Sequence, residues 1–211
     1  MYNKKAGVGA DVAGVIGTSI LDVGANLPTG AGTIGDVHGL IEGDPGKKGI
    51  KNIDDSPWAN VIPGVGHSNM TRRLQRAYVE AGASGLGAKG KATSVVLNKR
   101  LTPLLLSIAG TIAGGMYGQY VYNKQKEQGV PDHTDMEWTN IGPMSPQVKY
   151  ALAGAGVGAL SGSLINMVCS LAGALSDKKS KKETKEDMNM YHHMLIPGYG
   201  SYELANQVIA D

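Results

Sequence analysis

The side chains of this 211-residue chain that are best suited to chemistry are basic ones. Residues 71–76 (TRRLQR) place Arg72 and Arg76 four residues apart with Arg73 beside them, so that on a helix they form one compact positive patch. Lys89 and Lys91 follow in a glycine-rich stretch, 85–91, that reads as a flexible basic linker. Such a cluster suits phosphate, from lipid headgroups or from nucleic acid. A solvated basic face is the alternative, and the apolar segment that follows favours headgroups.

No set of residues predicts an active site. Two GxGxxG patterns, at 30–35 and 85–90, lack a preceding apolar strand, and a P-loop-like pattern at 85–91 is followed by Ala92 instead of a hydroxyl residue. The one cysteine, Cys169, excludes an intrachain disulfide and a multi-cysteine metal site. The five histidines match no metal-ligand spacing. We therefore predict a protein that is not an enzyme and that uses no metal and no cofactor.

The composition indicates how such a chain packs. Glycine contributes 31 residues and phenylalanine none, while charged residues make up 18%. An aromatic-rich core is therefore excluded, and small-residue helix packing of the kind found in membranes and tight assemblies is favoured. The net charge of +2 does not by itself indicate nucleic-acid binding.

Two long segments without a charged residue, 101–122 and 150–176, dominate the second half of the chain. A helix over the shorter one is about 33 Å long, and the hydrocarbon core of a bilayer is about 30 Å thick. We predict two transmembrane helices that form an antiparallel hairpin around a loop at 123–149. Pro103 is then expected in the first turn of its helix, where its missing N–H costs nothing. Basic flanks and an acidic loop place both tails on the cytoplasm-like side.

Both segments carry glycines four residues apart. Four residues advance a helix by about one turn, so each set forms a groove along one face where a second backbone can approach closely. We predict that these grooves are helix-packing sites of the glycine-zipper kind. A buried hairpin in a soluble assembly is the alternative, and segment length favours the membrane. The predicted packing residues are Gly110, Gly114, Gly118, Gly154, Gly158 and Gly162.

The remaining segments flank these helices. Residues 1–43 are predicted to form a Gly-rich helical hairpin (6–25 and 31–43) with rows of small residues, and its acidic residues favour the membrane interface or a protein surface over a bilayer crossing. Residues 44–100 comprise a charged connector, a Pro-Gly elbow and the basic amphipathic helix, and 101–176 the membrane hairpin. Residues 177–211 comprise a charged tail, a second elbow and a short C-terminal helix. A partner in a large assembly is expected to hold the charged stretch 177–187.

The two elbows share one motif, IPGVG at 62–66 and IPGYG at 196–200. Each is followed by a candidate N-cap, Ser68 or Ser201, and a short amphipathic run. A duplicated unit and a coincidence in a glycine-rich chain both remain open. The whole pattern predicts an all-α fold of glycine-zipper hairpins, with two transmembrane helices, short amphipathic surface helices and Pro-Gly elbows.

The glycine rows, the elbows and the charged tail resemble those of Gly-rich, membrane-associated minor structural proteins of the capsid or virion membrane in large viruses and phages. That resemblance implies a non-enzymatic structural protein that links a lipid membrane, a virion internal membrane or a host membrane, to a protein shell or large assembly. Its partners would be lipid, other subunits and further copies of itself, with nucleic acid less favoured. An oligomeric pore, transport or genome-ejection component and a soluble helical assembly subunit are the alternatives.

Overall fold

The computed structural model describes residues 30–42, 62–129, 144–177, 180–187 and 196–208. Every secondary-structure element in these ranges is an α-helix, which confirms the predicted all-α class. The predicted helix 6–25, the connector 44–61 and residues 130–143 of the predicted loop lie outside the described residues. The helices are α1 (Ala31–Glu42), α2 (Val65–Glu80), α3 (Gly85–Glu127), α4 (Pro146–Leu175), α5 (Lys181–Asp187) and α6 (Tyr199–Val208).

The described residues fall into two compact units. The first unit takes the residues up to 101 and from 163 onward, and so contains α1, α2, α5, α6, the start of α3 and the end of α4. The second unit, 102–162, contains the remainder of α3 and α4.

Helix α3 is much longer than the segment predicted for it. It begins at Gly85, where the backbone N–H of Gly87 donates to Ser84 Oγ at 3.1 Å and so finds the acceptor that a first-turn N–H needs. The reading of 85–91 as a flexible linker is therefore wrong. Pro103 lies well inside the helix and not in its first turn, so the expectation that its missing N–H costs nothing is wrong as well.

The core of the first unit is small and has many polar neighbours. Leu74 and Tyr78 of α2 are fully buried, and Asp36 of α1 is buried with them. Asp36 accepts a hydrogen bond from Thr71 Oγ1 at 3.0 Å and forms an ion pair with Arg100, whose Nε donates at 2.8 Å. These bonds compensate the cost of burying the carboxylate. The apolar core residues are Met70, Leu74, Tyr78, Ala88, Ala92, Val95, Leu204, Ala205 and Val208.

The described part of the charged tail is held by the chain itself. Ser180 and Glu183 form a capping box, in which Ser180 N donates to Glu183 Oε2 at 2.8 Å and Glu183 N donates to Ser180 Oγ at 3.2 Å. Thr184 is buried, and Gln207 Nε2 of α6 donates to its hydroxyl at 3.2 Å. These hydrogen bonds cap α5 and join it to α6.

Both Pro-Gly elbows turn the chain into a helix in the same way. Gly64 has a φ of 83° and Gly198 a φ of 79°, a left-handed conformation that favours glycine. Helices α2 and α6 begin at the next residue in each case. The serines predicted as N-caps therefore lie inside these helices, and the N-cap position of α2 is Gly64 itself.

The elbows also pack in the same register. In α1, Gly35 and Gly39 are four residues apart and lie against the first elbow and the first turn of α2. In α4, Cys169 and Gly173 have the same spacing and lie against the second elbow and the first turn of α6. Matching contacts at matching positions favour a duplicated unit over coincidence.

Candidate helix-packing interface

In the second unit, α3 and α4 approach so closely that their glycines leave no room for a side chain. A Cβ built on Gly110 would overlap the carbonyl oxygen of Gly154, and a Cβ on Gly154 would overlap that of Gly110. A Cβ on Gly114 would overlap the Tyr150 carbonyl oxygen in the same way. Because these neighbours are backbone atoms, no rotamer change could relieve the overlap.

The close approach extends along the length of both glycine rows. A Cβ on Gly118 would lie 2.6 Å from the Pro146 carbonyl oxygen, and one on Gly162 would lie 2.8 Å from the nitrogen of Pro103. Gly158 faces the carbonyl of Leu106 in the same manner. Residues further along α3 contact residues that come earlier in α4, so the two helices run antiparallel. All six glycines singled out from the sequence lie at this contact.

Side chains at one end of the contact add specific interactions. The rings of Tyr117 and Tyr150 meet edge to face with centroids 4.9 Å apart, a geometry worth about 0.5–1.5 kcal/mol beyond burial. Gln147 Nε2 donates to Gln119 Oε1 at 3.2 Å, and Gln119 Nε2 donates to Asn123 Oδ1 at 2.9 Å. These bonds link the amides between and along the helices, although Gln147 Oε1 is buried and has no hydrogen-bond partner among the described residues.

The opposite surfaces of α3 and α4 are apolar and uncovered. Large hydrophobic side chains there are about half exposed or more, including Ile112 at 59%, Met116 at 71% and Val157 at 65%. In the most apolar 18-residue stretch of α3 only 11% is buried, and in that of α4 22% is buried. The core helix of a soluble protein is mostly buried. Both helices are long and apolar enough to cross a membrane, which permits a membrane location.

Near the Pro103 break, Asn166 has a role that the sequence did not reveal. The carbonyl of Lys99 lies four residues before Pro103 and cannot receive the usual helical hydrogen bond from it. Asn166 Nδ2 of α4 donates to that carbonyl at 2.7 Å instead, and Asn166 is 6% exposed. A buried asparagine in an otherwise apolar helix, paired with a proline in the other, is the signal that could have indicated this bond.

The basic residues do not all share one surface. Arg76 and Lys89 are exposed and Arg72 and Arg73 are partly buried, but Lys91 is only 2% exposed. The sequence assigns Lys91 to the cluster that would bind phosphate, whereas Lys91 lies on the buried face of α3. The exposed positive charge is therefore smaller than the sequence indicated.

The described side chains near this interface were considered for metal ligands. No group of three or more His, Cys, Asp or Glu residues within those ranges is placed to hold a metal ion. The chain matches no protein-family model, no curated protein and no solved structure.

Proposed function

We propose that this chain is a non-enzymatic structural membrane protein, in which α3 and α4 cross a bilayer as a glycine-zipper hairpin. The observation that carries the proposal is the contrast between the two sides of these helices. Their contact is made by glycine and backbone, and their outer faces present large apolar side chains such as Ile112, Met116 and Val157. In lipid the hydrophobic effect does not drive helices together, so the attraction between them must come from close packing of their backbones.

The proposed partner of the first unit is a protein shell or another large assembly. This unit is rich in polar groups, and residues of all six helices meet in it through apolar contacts, hydrogen bonds and the Asp36–Arg100 ion pair. Such a unit suits attachment to other subunits. The resemblance of the glycine rows and elbows to virion membrane proteins supports this role.

An anchor accounts for the polar residues of the long helices better than a pore does. A pore needs polar side chains directed to a water-filled path. Gln119 bonds to Gln147 and Asn123, and Asn166 bonds to the Lys99 carbonyl. These amides thus serve contacts within the chain.

Bilayer-depth quenching tests the membrane role. We would replace Trp58 and Trp138 with tyrosine, introduce Ile112→Trp, and reconstitute the full chain into vesicles that contain brominated phospholipid. We expect the strongest quenching when the bromine is near the centre of the acyl chains. The control is Ile41→Trp in α1, at a site with 68% exposure, which we expect to be quenched weakly. An Ile112→Trp protein that bromine does not quench would favour the soluble assembly subunit.

A further inference from the structure

The first unit carries the same exposed apolar surface twice, once on α1 and once on the end of α4. Each α4 residue of this surface stands 134 positions after its α1 counterpart, which is also the distance from Ile62 to Ile196 in the two elbows. At this offset, every large hydrophobic residue that α1 exposes has an exposed large hydrophobic counterpart in α4. The pairs are Ile34 with Val168 (68% and 60% exposed), Val37 with Leu171 (48% and 42%) and Ile41 with Leu175 (68% and 75%).

The inner sides of the two helices fix the same register independently. A Cβ on Gly39 would lie 2.6 Å from the carbonyl oxygen of Ser68, and one on Gly173 would lie 2.2 Å from that of Tyr202. Gly39 and Ser68 each pair with Gly173 and Tyr202 at the offset of the elbows. Spacings of three and four residues place the exposed apolar residues in one row, on a face of each helix turned away from these glycines. The repeat therefore includes an outer surface as well as a packing contact.

The α4 copy is the end of a longer apolar row. Leu164 comes four residues before Val168, and Val157 comes seven residues before Leu164, so all three lie on the same side of α4. Leu164 and Val157 are exposed as well. Val157 is one of the residues proposed above to face lipid, so the present inference rests on the proposed function. The lipid contact of α4 then continues along this row to Leu175.

Helix α1 is too short to cross a bilayer by itself. Its 12 residues extend about 18 Å, and the hydrocarbon core is about 30 Å thick. Exposed His38 and Glu42 lie beside the apolar row, and Asp36 is buried and paired with Arg100. The row itself thus contains no charged residue. An apolar row with polar neighbours on a short helix is typical of a helix that lies in the plane of a membrane surface.

We propose that α1 lies in the surface of the bilayer with Ile34, Val37 and Ile41 in the lipid. Lipid is the partner because the matched α4 row continues the face of α4 that meets lipid. Contiguous exposed apolar residues mark interaction sites, and a helix of this kind enters the boundary between head groups and acyl chains by about 5–10 Å. At that depth Ile41 is remote from the centre of the acyl chains, which agrees with the weak quenching expected there of Ile41→Trp.

Spin labelling of the full-length protein in phospholipid vesicles tests the proposal. Cys169 is replaced by alanine, and a single cysteine at Ile41, Glu42, Leu175 or Val157 then carries a nitroxide. Collisions of the nitroxide with oxygen, which concentrates in lipid, and with a water-soluble nickel chelate distinguish lipid, water and protein surroundings. Glu42 is the matched control, because it is exposed in the same turn of α1 but lies outside the apolar row. Circular dichroism verifies that each labelled variant keeps its helices.

We expect the ratio of oxygen to nickel collisions at Ile41 to exceed that at Glu42 several-fold. The ratio at Leu175 should resemble that at Ile41, since the two residues occupy equivalent positions of the repeat. Val157 should give the highest ratio, because its part of α4 lies deeper in the bilayer.

Two results at Ile41 would overturn the proposal while Val157 reports lipid. Nickel access at Ile41 equal to that at Glu42 would place α1 in water. Low access of both reagents at Ile41 would mean that a protein surface, from a second copy or from another subunit, covers the row. Nickel access at Val157 would contradict the membrane hairpin itself, and this inference would fail with it.

Discussion

Pro103 removes a hydrogen-bond donor from the interior of α3, and Asn166 supplies one from α4. The bond to the Lys99 carbonyl is 2.7 Å long and is buried. A buried carbonyl that loses its donor costs about 1–3 kcal/mol. Asn166 therefore makes the proline tolerable, and the two residues should be energetically coupled although they lie on different helices.

A double-mutant cycle measures that coupling. Asn166→Leu alone should lower the free energy of unfolding by about 1–3 kcal/mol. In a Pro103→Ala background the alanine N–H can bond to the Lys99 carbonyl, so the same change should cost clearly less. Reversible denaturant titration in detergent gives both values, with Ser161→Ala at an exposed site of α4 as control. Equal costs in both backgrounds would mean that Asn166 stabilises the protein by another route.

At the scale of elements, the contact between α3 and α4 depends on the position of each glycine and not on glycine content. Gly158 faces the backbone of Leu106, whereas a Cβ on Gly156 would meet nothing within 4 Å. Gly156 and Gly158 flank Val157 in the same helix. They therefore form a matched pair that separates packing from helix propensity.

We expect Gly158→Leu to force the helices apart and Gly156→Leu to be tolerated. Both changes remove a helix-interior glycine and should gain about 0.8–1 kcal/mol in propensity, so a difference between them reports the contact alone. Resistance of the detergent-solubilised chain to thermal unfolding, followed by circular dichroism, is the measurement. If both variants melt at the same temperature, the glycine rows are not packing grooves.

The sequence predicted features with a local spacing signature better than features that depend on where a helix begins. The six glycines repeat every four residues, and that spacing alone assigns them to one face of each helix. Lys91 and Pro103 were misplaced for one reason. A Gly-rich basic stretch reads as a linker, yet it forms the start of α3 once its alanines and Val95 pack into the core of the first unit. Tertiary packing overrode local propensity there.

At the scale of the whole molecule, α3 and α4 each contribute residues to both units. Charge flanks the apolar parts of α3 and α4 unevenly, because residues 72–100 before the first are basic and exposed Lys181 and Lys182 follow the second, while acidic residues lie in 123–149. The positive-inside rule places basic flanks on the cytoplasm-like side. In the proposed membrane arrangement, the tail and the loop should therefore lie on opposite sides of the bilayer.

Cysteine labelling in sealed vesicles tests this arrangement. The only native cysteine, Cys169, is first replaced by alanine, and Gln128→Cys or Lys182→Cys is then introduced at an exposed site. A membrane-impermeant maleimide should label one of the two variants in intact vesicles and the other only after permeabilisation, because a helix that crosses the bilayer separates the two sites. Both variants should react fully in detergent. Equal labelling of both in intact vesicles would show that α4 does not cross the bilayer, and the hairpin would then pack against protein instead of lipid.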